Sequence, residues 1–326
     1  MGVLLQDGLA LATPPTDSHD VLCRRTPSCR VTLMARLPHA PFPYAGAVGD
    51  TDQPFFDRVD PDSGQRLHTV SEEVCYPEFP HYQDNRVLIH LPPTFKPGAR
   101  FQILVFFHGH HTELNRTLVE EWALLRQVNT SGRNLVLVVP QMVLDAADSS
   151  PGKLYRPQGF ANLLRDVSLV LKKELGKGFS DLFKQAPVIL TAYSGGYRAL
   201  AYTLDRGFAS GQERDRRLRG VILLDALYSE FDKFADWLQH PGRRGFFVNL
   251  YGPSSEPLSR QLELALEEAG MPWSDTLKGR LKPRRIYSLA VDTPHQTLFM
   301  EGPPPVASGQ TAPTRRRPGA PMTTRA

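Results

Sequence analysis

The repeated alternation of short apolar runs with amphipathic segments is the feature that most constrains how this chain folds. Segments 118–128 and 160–171 carry apolar side chains three and four positions apart, and 257–269 forms a further helical pattern that ends at Gly270. Strands that alternate with helices along a chain run parallel in one sheet. The sequence therefore predicts an α/β fold with a mostly parallel central sheet flanked by helices. The predicted strands are 86–91, 103–107, 135–139, 188–191, 221–224, 246–250 and 286–291.

Composition sets the domain organisation. The chain has 326 residues, of which 41% are hydrophobic and 22% charged, which suits one large α/β domain with tails. We predict a disordered segment at 1–33, a Pro-rich extension at 34–84, the α/β domain at 85–302 and a disordered basic tail at 303–326. Met34 is a hypothetical alternative start. The segments after the predicted strand 188–191 are short helices, so no large lid domain is expected there.

Charge and cysteine content bear on partners and location. The net charge of +4 owes much to arginine runs, and without an aromatic platform this basicity indicates a solvated surface rather than a nucleic-acid site. No apolar run approaches the roughly twenty residues that a membrane span requires. The three cysteines are too few for a disulfide framework, which favours a reducing, cytoplasmic location. The first residues lack the basic start of a secretion signal, although export stays open.

One serine lies at a sharp junction between a predicted strand and a helix. The strand 188–191 leads into Ala192-Tyr-Ser-Gly-Gly196, and a helical pattern follows. A nucleophile on a strained turn needs small residues two positions away on each side, so that strand and helix can pass closely. Ala192 and Gly196 meet that need around Ser194. A loop serine that merely caps a helix is the alternative interpretation.

Other polar residues follow predicted strands directly. His108 and Gly109 end one strand, Asp225 ends another, and His295 comes shortly after the last. In parallel sheets the carboxyl ends of strands share one edge, where ligand sites form, so these residues are expected to meet there. The order serine, acid, histidine resembles that of the α/β-hydrolase family, and the resemblance covers about residues 85–300.

The resemblance implies a nucleophile, a base and an acid. Ser194 is the expected nucleophile and His295 the base, with His240, at the end of a helical pattern, as the rival base. For the acid, Asp225 is preferred because a carboxylate directly after buried aliphatic residues needs a partner. Glu256 is the alternative acid. Asp292, near the end of the last strand, is a third possibility.

The resemblance also implies an oxyanion hole built from backbone N–H groups. One donor is Gly195, which follows the serine, and the second is His110, just after Gly109. The cluster His108-Gly-His-His111 has a metal-site alternative, but the following Thr112-Glu113 does not supply the Asp-His pair of a metallo-hydrolase motif. The sequence therefore predicts no metal and no cofactor.

The predicted substrate contacts lie beside this edge. The loop 140–153 follows a buried strand and carries the polar residues Asp145 and Ser149, which suit a polar acyl or sugar-like group. The aromatic ring of Tyr193 is predicted to line one wall of the substrate site. The predicted activity is hydrolysis of a small carboxylic ester through an acyl-enzyme. Amidase, peptidase and thioesterase activities use the same machinery, and a non-catalytic binding protein on this fold is a further alternative. The sequence does not determine the oligomeric state.

Overall fold

A ten-stranded central sheet organises the protein in a computed structural model that describes residues 19–26, 29–121 and 124–298. In spatial order the strands are β1 (His19–Thr26), β2 (Cys29–Arg36), β6 (Arg86–Leu91), β8 (Leu135–Pro140), β7 (Gln102–Phe107), β9 (Val188–Tyr193), β10 (Leu218–Leu224), β11 (Phe246–Tyr251), β13 (Ile286–Ala290) and β12 (Trp273–Ser274). β1, β2 and β6 pair antiparallel, β6 also pairs antiparallel with β8, and the remaining pairs are parallel. The predicted mostly parallel sheet is confirmed.

Helices cover both faces of this sheet. They are α1 (Glu78–His81), α2 (Leu124–Thr130), α3 (Gly159–Leu175), α4 (Lys177–Gln185), α5 (Tyr197–Tyr202), α6 (Gly211–Arg217), α7 (Phe231–Gln239) and α8 (Glu256–Glu268). The predicted helices 160–171 and 257–269 correspond to α3 and α8. The predicted helix 118–128 is wrong in detail, because a π-helical segment, Leu114–Glu121, precedes α2 and residues 122–123 lie outside the described part. In 124–298 the connections after β9 carry only short helices, α5 and α6 before β10, α7 before β11 and α8 before β12, and no inserted lid domain.

The core occupies both faces of the sheet. Along β8, Val136 and Val138 pack into one cluster, whereas Leu137 and Val139 pack into a second on the opposite face. Successive side chains of a strand point to opposite faces, so a strand that is covered on both sides must be apolar throughout. This explains why the central strands appear in the sequence as continuous apolar runs.

The first described residues belong to the sheet. β1 and β2 form a hairpin whose second strand pairs with β6, and a disulfide joins Cys23 and Cys29. The prediction of a disordered segment through residue 33 is therefore wrong for 19–26 and 29–33, while 1–18 and 303–326 lie outside the described residues. This disulfide bears against the expectation of a reducing compartment, which rested on the three cysteines being too few for a disulfide framework.

The Pro-rich extension packs onto the loop that leaves β8. It holds a small antiparallel sheet of β3 (Arg58–Val59), β4 (Arg66–Thr69) and β5 (Cys75–Pro77). An aromatic cluster joins Phe42, Phe55 and Tyr82 of the extension to Val143 and Tyr155 beyond β8. The extension thus supports the loop 140–153. No helix in the described ranges combines the length and the apolar character needed to cross a bilayer.

Candidate active site

The serine and the acid follow the ends of two neighbouring strands, so they lie side by side. Leu224 of β10 lies opposite Tyr193 of β9, so Asp225 and Ser194 leave the sheet at the same level. Both residues have left-handed backbone conformations, with φ of 50° at Ser194 and 44° at Asp225. Such conformations cost free energy outside glycine and are retained where surrounding structure enforces them. The Asp225 N–H donates to Leu250 O at 2.7 Å, which helps to fix this turn.

Close packing explains the small residues around the serine. A Cβ atom at Gly196 would lie 2.2 Å from the carbonyl oxygen of Phe107, at the end of β7. A Cβ atom at Gly109 would lie 2.7 Å from the Cβ of Ser194. The end of β7 therefore passes directly against the serine turn, and only glycine fits at either position.

The structure brings three of the predicted residues into one hydrogen-bonded chain. The Ser194 hydroxyl lies 2.9 Å from His295 Nε2, and His295 Nδ1 lies 2.6 Å from Asp225 Oδ2. The Asp225 carboxylate can only accept, so His295 Nδ1 carries the proton and donates it, and Nε2 is free to accept from the Ser194 hydroxyl. The imidazole is thereby held in the tautomer that can take a proton from the serine.

Asp225 is buried at 1% exposure and accepts further hydrogen bonds. The Gly252 N–H and the Ser254 hydroxyl each donate at 3.0 Å, and the Ser255 hydroxyl donates as well. Burial alone would raise the pKa of Asp225, but the hydrogen bonds, that from His295 foremost, outweigh it and lower the pKa to about 2. The carboxylate therefore stays ionised at neutral pH.

The alternative acid and base residues lie in environments that do not include the serine or His295. Glu256 is exposed in the first turn of α8 and contacts Arg260. His240 ends α7 and lies 3.5 Å from Asp215. Asp292 is exposed after β13. None of these side chains makes a contact with Ser194 or His295 among the described residues, which favours Asp225 and His295.

Aromatic residues hold the histidine from the side. The ring of Tyr193 stacks on that of His295 with centroids 4.9 Å apart, and its hydroxyl donates to the His295 carbonyl at 2.8 Å. Burial raises the pKa of Tyr193 to about 12, so the donor stays protonated. The ring of Tyr228 approaches His295 edge-on, and its hydroxyl lies 3.1 Å from Ser254. Sequence reasoning placed Tyr193 in the substrate wall and missed Tyr228 and the Ser254-Ser255 pair, for which the polar loop after β11 was the available signal.

His108 organises the loop opposite the serine. It is fully buried, and its Nε2 accepts from the Met142 N–H at 2.9 Å and from the Gln141 side chain at 3.1 Å. Nδ1 therefore carries the proton and donates to the Gly109 carbonyl at 2.9 Å. Burial lowers the pKa of His108 to about 4, so the ring is neutral. Both ring nitrogens of His108 are committed to this loop, which does not fit the metal alternative.

His110 lies over the backbone that follows the serine. A Cβ atom at Gly195 would come within 2.3 Å of the His110 ring, and His110 Nε2 lies 2.9 Å from the Ser149 hydroxyl. Burial lowers the pKa of His110. The attraction of the Asp148 carboxylate raises this pKa in part, whereas repulsion from His111 and His295 lowers it further. His110 and Ser149 thus flank the predicted oxyanion position.

Asp145, the third predicted substrate contact, lies farther out. Its carboxylate is 3.5 Å from the ring of exposed His111, and both side chains are 61% exposed. The structure therefore places Ser149 beside the serine turn and Asp145 at the solvent side of the same loop.

The Pro-rich extension fixes the segment that carries Ser149. The Tyr82 hydroxyl donates to the buried Asp148 carboxylate at 2.9 Å, and the Ser150 N–H donates to the same carboxylate at 2.8 Å. The Ser150 hydroxyl lies 3.2 Å from His68 Nε2. These contacts hold Ser149 between two anchored neighbours. Sequence reasoning missed them because residues 34–84 carry no motif.

Comparison with known proteins finds similar folds among solved structures but assigns the chain to no family. No protein-family model and no curated protein matches the chain. The S-formylglutathione hydrolase from Agrobacterium tumefaciens is 8% identical, with 86% of this chain and 96% of that chain covered and a TM-score of 0.46. A feruloyl esterase module from Clostridium thermocellum, complexed with sinapinate, is 12% identical over 79% and 94%, with a TM-score of 0.42. Esterase 2 of Thermogutta terrifontis is 14% identical over 74% and 88%, with a TM-score of 0.38. Likeness at this level assigns no activity, so the function depends on the chain's own residues.

Proposed function

We propose that the protein is a serine hydrolase that cleaves small carboxylic esters through an acyl-enzyme. The observation that carries the proposal is the hydrogen-bonded chain from Asp225 through His295 to Ser194 at the carboxyl edge of the sheet. A serine hydroxyl is a weak nucleophile until an adjacent base takes its proton, and a base works best when a third group orients it. All three requirements meet in these contacts.

The reaction proceeds in two steps. His295 Nε2 takes the proton as Ser194 Oγ attacks the ester carbonyl, and the backbone N–H groups of Gly195 and His110 stabilise the oxyanion. The imidazolium then protonates the leaving alcohol, which leaves Ser194 acylated. Water attacks the acyl group with His295 again as base, so that the acid is released and the serine restored. Apart from the ester and water, these steps use only groups of this chain.

Asp225 acts through the histidine. Its ionised carboxylate keeps the proton on His295 Nδ1 and stabilises the imidazolium that forms when Nε2 takes the serine proton. Since the pKa of Asp225 is about 2, this charge is present at every pH at which the neutral imidazole can act as base. Tyr193 restrains the imidazole by stacking and by its bond to the His295 carbonyl, so we assign it a positioning role.

Polar groups beside the serine favour a small, polar acyl group. Ser149 and His110 lie against the turn, and Asp145 lies toward solvent. Hydroxyl and imidazole groups at this position can hydrogen-bond to a polar substituent, whereas a long alkyl chain would displace water from them and offer no hydrogen bond in return. An ester is preferred over an amide because an alcohol leaves the tetrahedral intermediate more readily than an amine does. A thiolate leaves at least as readily as an alkoxide, so leaving-group ability does not separate esters from thioesters, and the two are distinguished by direct comparison of matched substrates.

Labelling and turnover test the proposal together. A fluorophosphonate probe should label the wild type, and p-nitrophenyl acetate should be hydrolysed, while Ser194→Ala should lose both. Ser71→Ala, which alters an exposed serine in the β4–β5 turn, is the matched control and should behave as the wild type. If Ser194→Ala were still labelled, the assignment of Ser194 as the nucleophile would be refuted. A folded wild type that neither reacts nor turns over would instead indicate a non-catalytic binding protein.

A panel of substrates tests the ester assignment separately. The acetate ester should be turned over faster than the matched p-nitroanilide and thioacetate. Faster cleavage of the anilide or of the thioester would favour the amidase or thioesterase alternative with the same residues.

A further inference from the structure

A cavity opens at the edge of the sheet opposite Ser194. It has a volume of about 750 Å³ and lies where β8, β7, β9 and β10 begin. Ser194 and Asp225 follow the carboxyl ends of β9 and β10, so the length of the sheet separates this cavity from the candidate active site. A volume of this size is ample for a small organic ligand.

Among the described residues, the cavity is lined by three arginines and by no acidic side chain. Arg100 precedes β7, Arg133 precedes β8 and Arg219 lies near the start of β10. Within the described ranges, none of their guanidinium groups forms an ion pair with a carboxylate. Three positive charges therefore converge on one cavity without a counter-charge from the described protein.

Arg219 is the least compensated of the three. Its Nη1 atom is buried and lacks a hydrogen-bond partner in the part of the chain that the structure describes. Burial lowers the pKa of Arg219, and the charge of nearby Arg244 lowers it further. A buried donor on a charged group costs free energy when it is unpaired, and such cations are usually satisfied by an anion. Nη1 itself is shielded from solvent, so an anion in the cavity would compensate the charge of the part-exposed Arg219 side chain as a whole rather than fill this one hydrogen bond.

We propose that this cavity binds a small organic anion that carries two or more phosphate groups. Arginine presents planar, paired donors that match phosphate oxygens, and arginines on three separate segments can hold a chain of phosphates at several points. Phe101, Leu182 and Pro187 add apolar surface to the lining, which can receive an organic group. The proposal does not depend on the esterase activity.

Calorimetric titration of the full chain with ATP and with pyrophosphate tests this site. Both probes should bind at low salt, with ATP tighter because its organic part meets the apolar wall. Arg219→Gln and Arg133→Gln should each weaken ATP binding about tenfold, since each removes a charged hydrogen-bond partner. The matched control is Arg58→Gln on β3, an exposed position outside the cavity with the same change in charge, and its affinity should equal that of the wild type.

Stability and turnover separate a lost ligand contact from a damaged fold. Arg219→Gln should melt no lower than the wild type without ligand, because it removes an unpaired charge, and it should keep the wild-type ester turnover. ATP should raise the Tm of the wild type more than that of Arg219→Gln. Absence of binding by both probes, equal binding of pyrophosphate and ATP, or equal weakening in Arg58→Gln would each overturn the proposal.

Discussion

Replacement of Asp225 by asparagine tests the reasoning about the candidate site most sharply. The asparagine keeps the shape of the side chain, but its amide group has one acceptor oxygen in place of two. The Asp225 carboxylate accepts from His295 and Ser254 on one oxygen and from Gly252 and Ser255 on the other. An NH₂ group must therefore face either the His295 Nδ1–H or the Gly252 N–H, and neither can accept from it.

The effect on stability follows from the pKa of Asp225. A fall from the ordinary 3.8 to about 2 corresponds to about 2 kcal/mol of stabilisation at neutral pH. Because the folded-state pKa is depressed, this contribution is present above pH 3.8 and is lost as the pH falls toward 2. About half of it has gone at pH 3. Asp225→Asn should thus be less stable than the wild type by about 2 kcal/mol at pH 7, and the gap should narrow by about half at pH 3.

The effect on turnover is larger. Without the carboxylate, the tautomer with Nε2 free to accept is no longer enforced, and kcat for p-nitrophenyl acetate should fall about 10³- to 10⁴-fold. Urea unfolding at pH 7 and pH 3, combined with kcat, measures both effects. Glu256→Gln is the control and should leave both quantities unchanged. A constant stability gap between pH 7 and pH 3 would refute the electrostatic argument, and loss of turnover in Glu256→Gln alone would show that the acid is misassigned.

Three further substitutions test the surrounding structure. Gly196→Ala forces a Cβ to within 2.2 Å of the Phe107 carbonyl oxygen, so urea unfolding should show a loss of about 3 kcal/mol, and an unchanged midpoint would contradict this packing. Tyr82→Phe removes the donor to buried Asp148 and should cost about 1 to 3 kcal/mol with a rise in KM; an unaltered KM would mean that the extension does not position the loop. Ser210→Ala removes the side-chain cap of α6, and a loss of about 1 kcal/mol is expected with kcat unchanged.

The sheet could be predicted from the sequence where burial leaves a continuous pattern. The apolar run of β8 identifies a strand because both of its faces are covered, and the same holds for β9 and β10. β1 was missed because most of it is exposed at the edge of the sheet, where polar residues such as Arg24 break the pattern. The small sheet β3–β5 was missed because its strands are too short to show periodicity.

The residues of the candidate site could be predicted from the sequence, but the side chains that surround and orient them could not. Ser194, Asp225 and His295 follow strands that end at one edge, so their proximity is a consequence of parallel topology. The serine donors to Asp225 come from the loop after β11 and the stacking ring comes from β9. Sequence spacing carries no information on which loop folds over which side chain, because that depends on packing across the sheet.

The sequence by itself determined the buried central strands, the junctions after them and the chemical types placed there, because strand burial and the steric demand for small residues at a tight turn act locally. Only the tertiary structure decided which acid meets His295, that Tyr193 supports the histidine, and that residues 34–84 hold the loop of Ser149. It also gathered Arg100, Arg133 and Arg219 around one cavity at the opposite edge. These are contacts between residues far apart in the chain, and their geometry exists only once the sheet has brought the strand ends together.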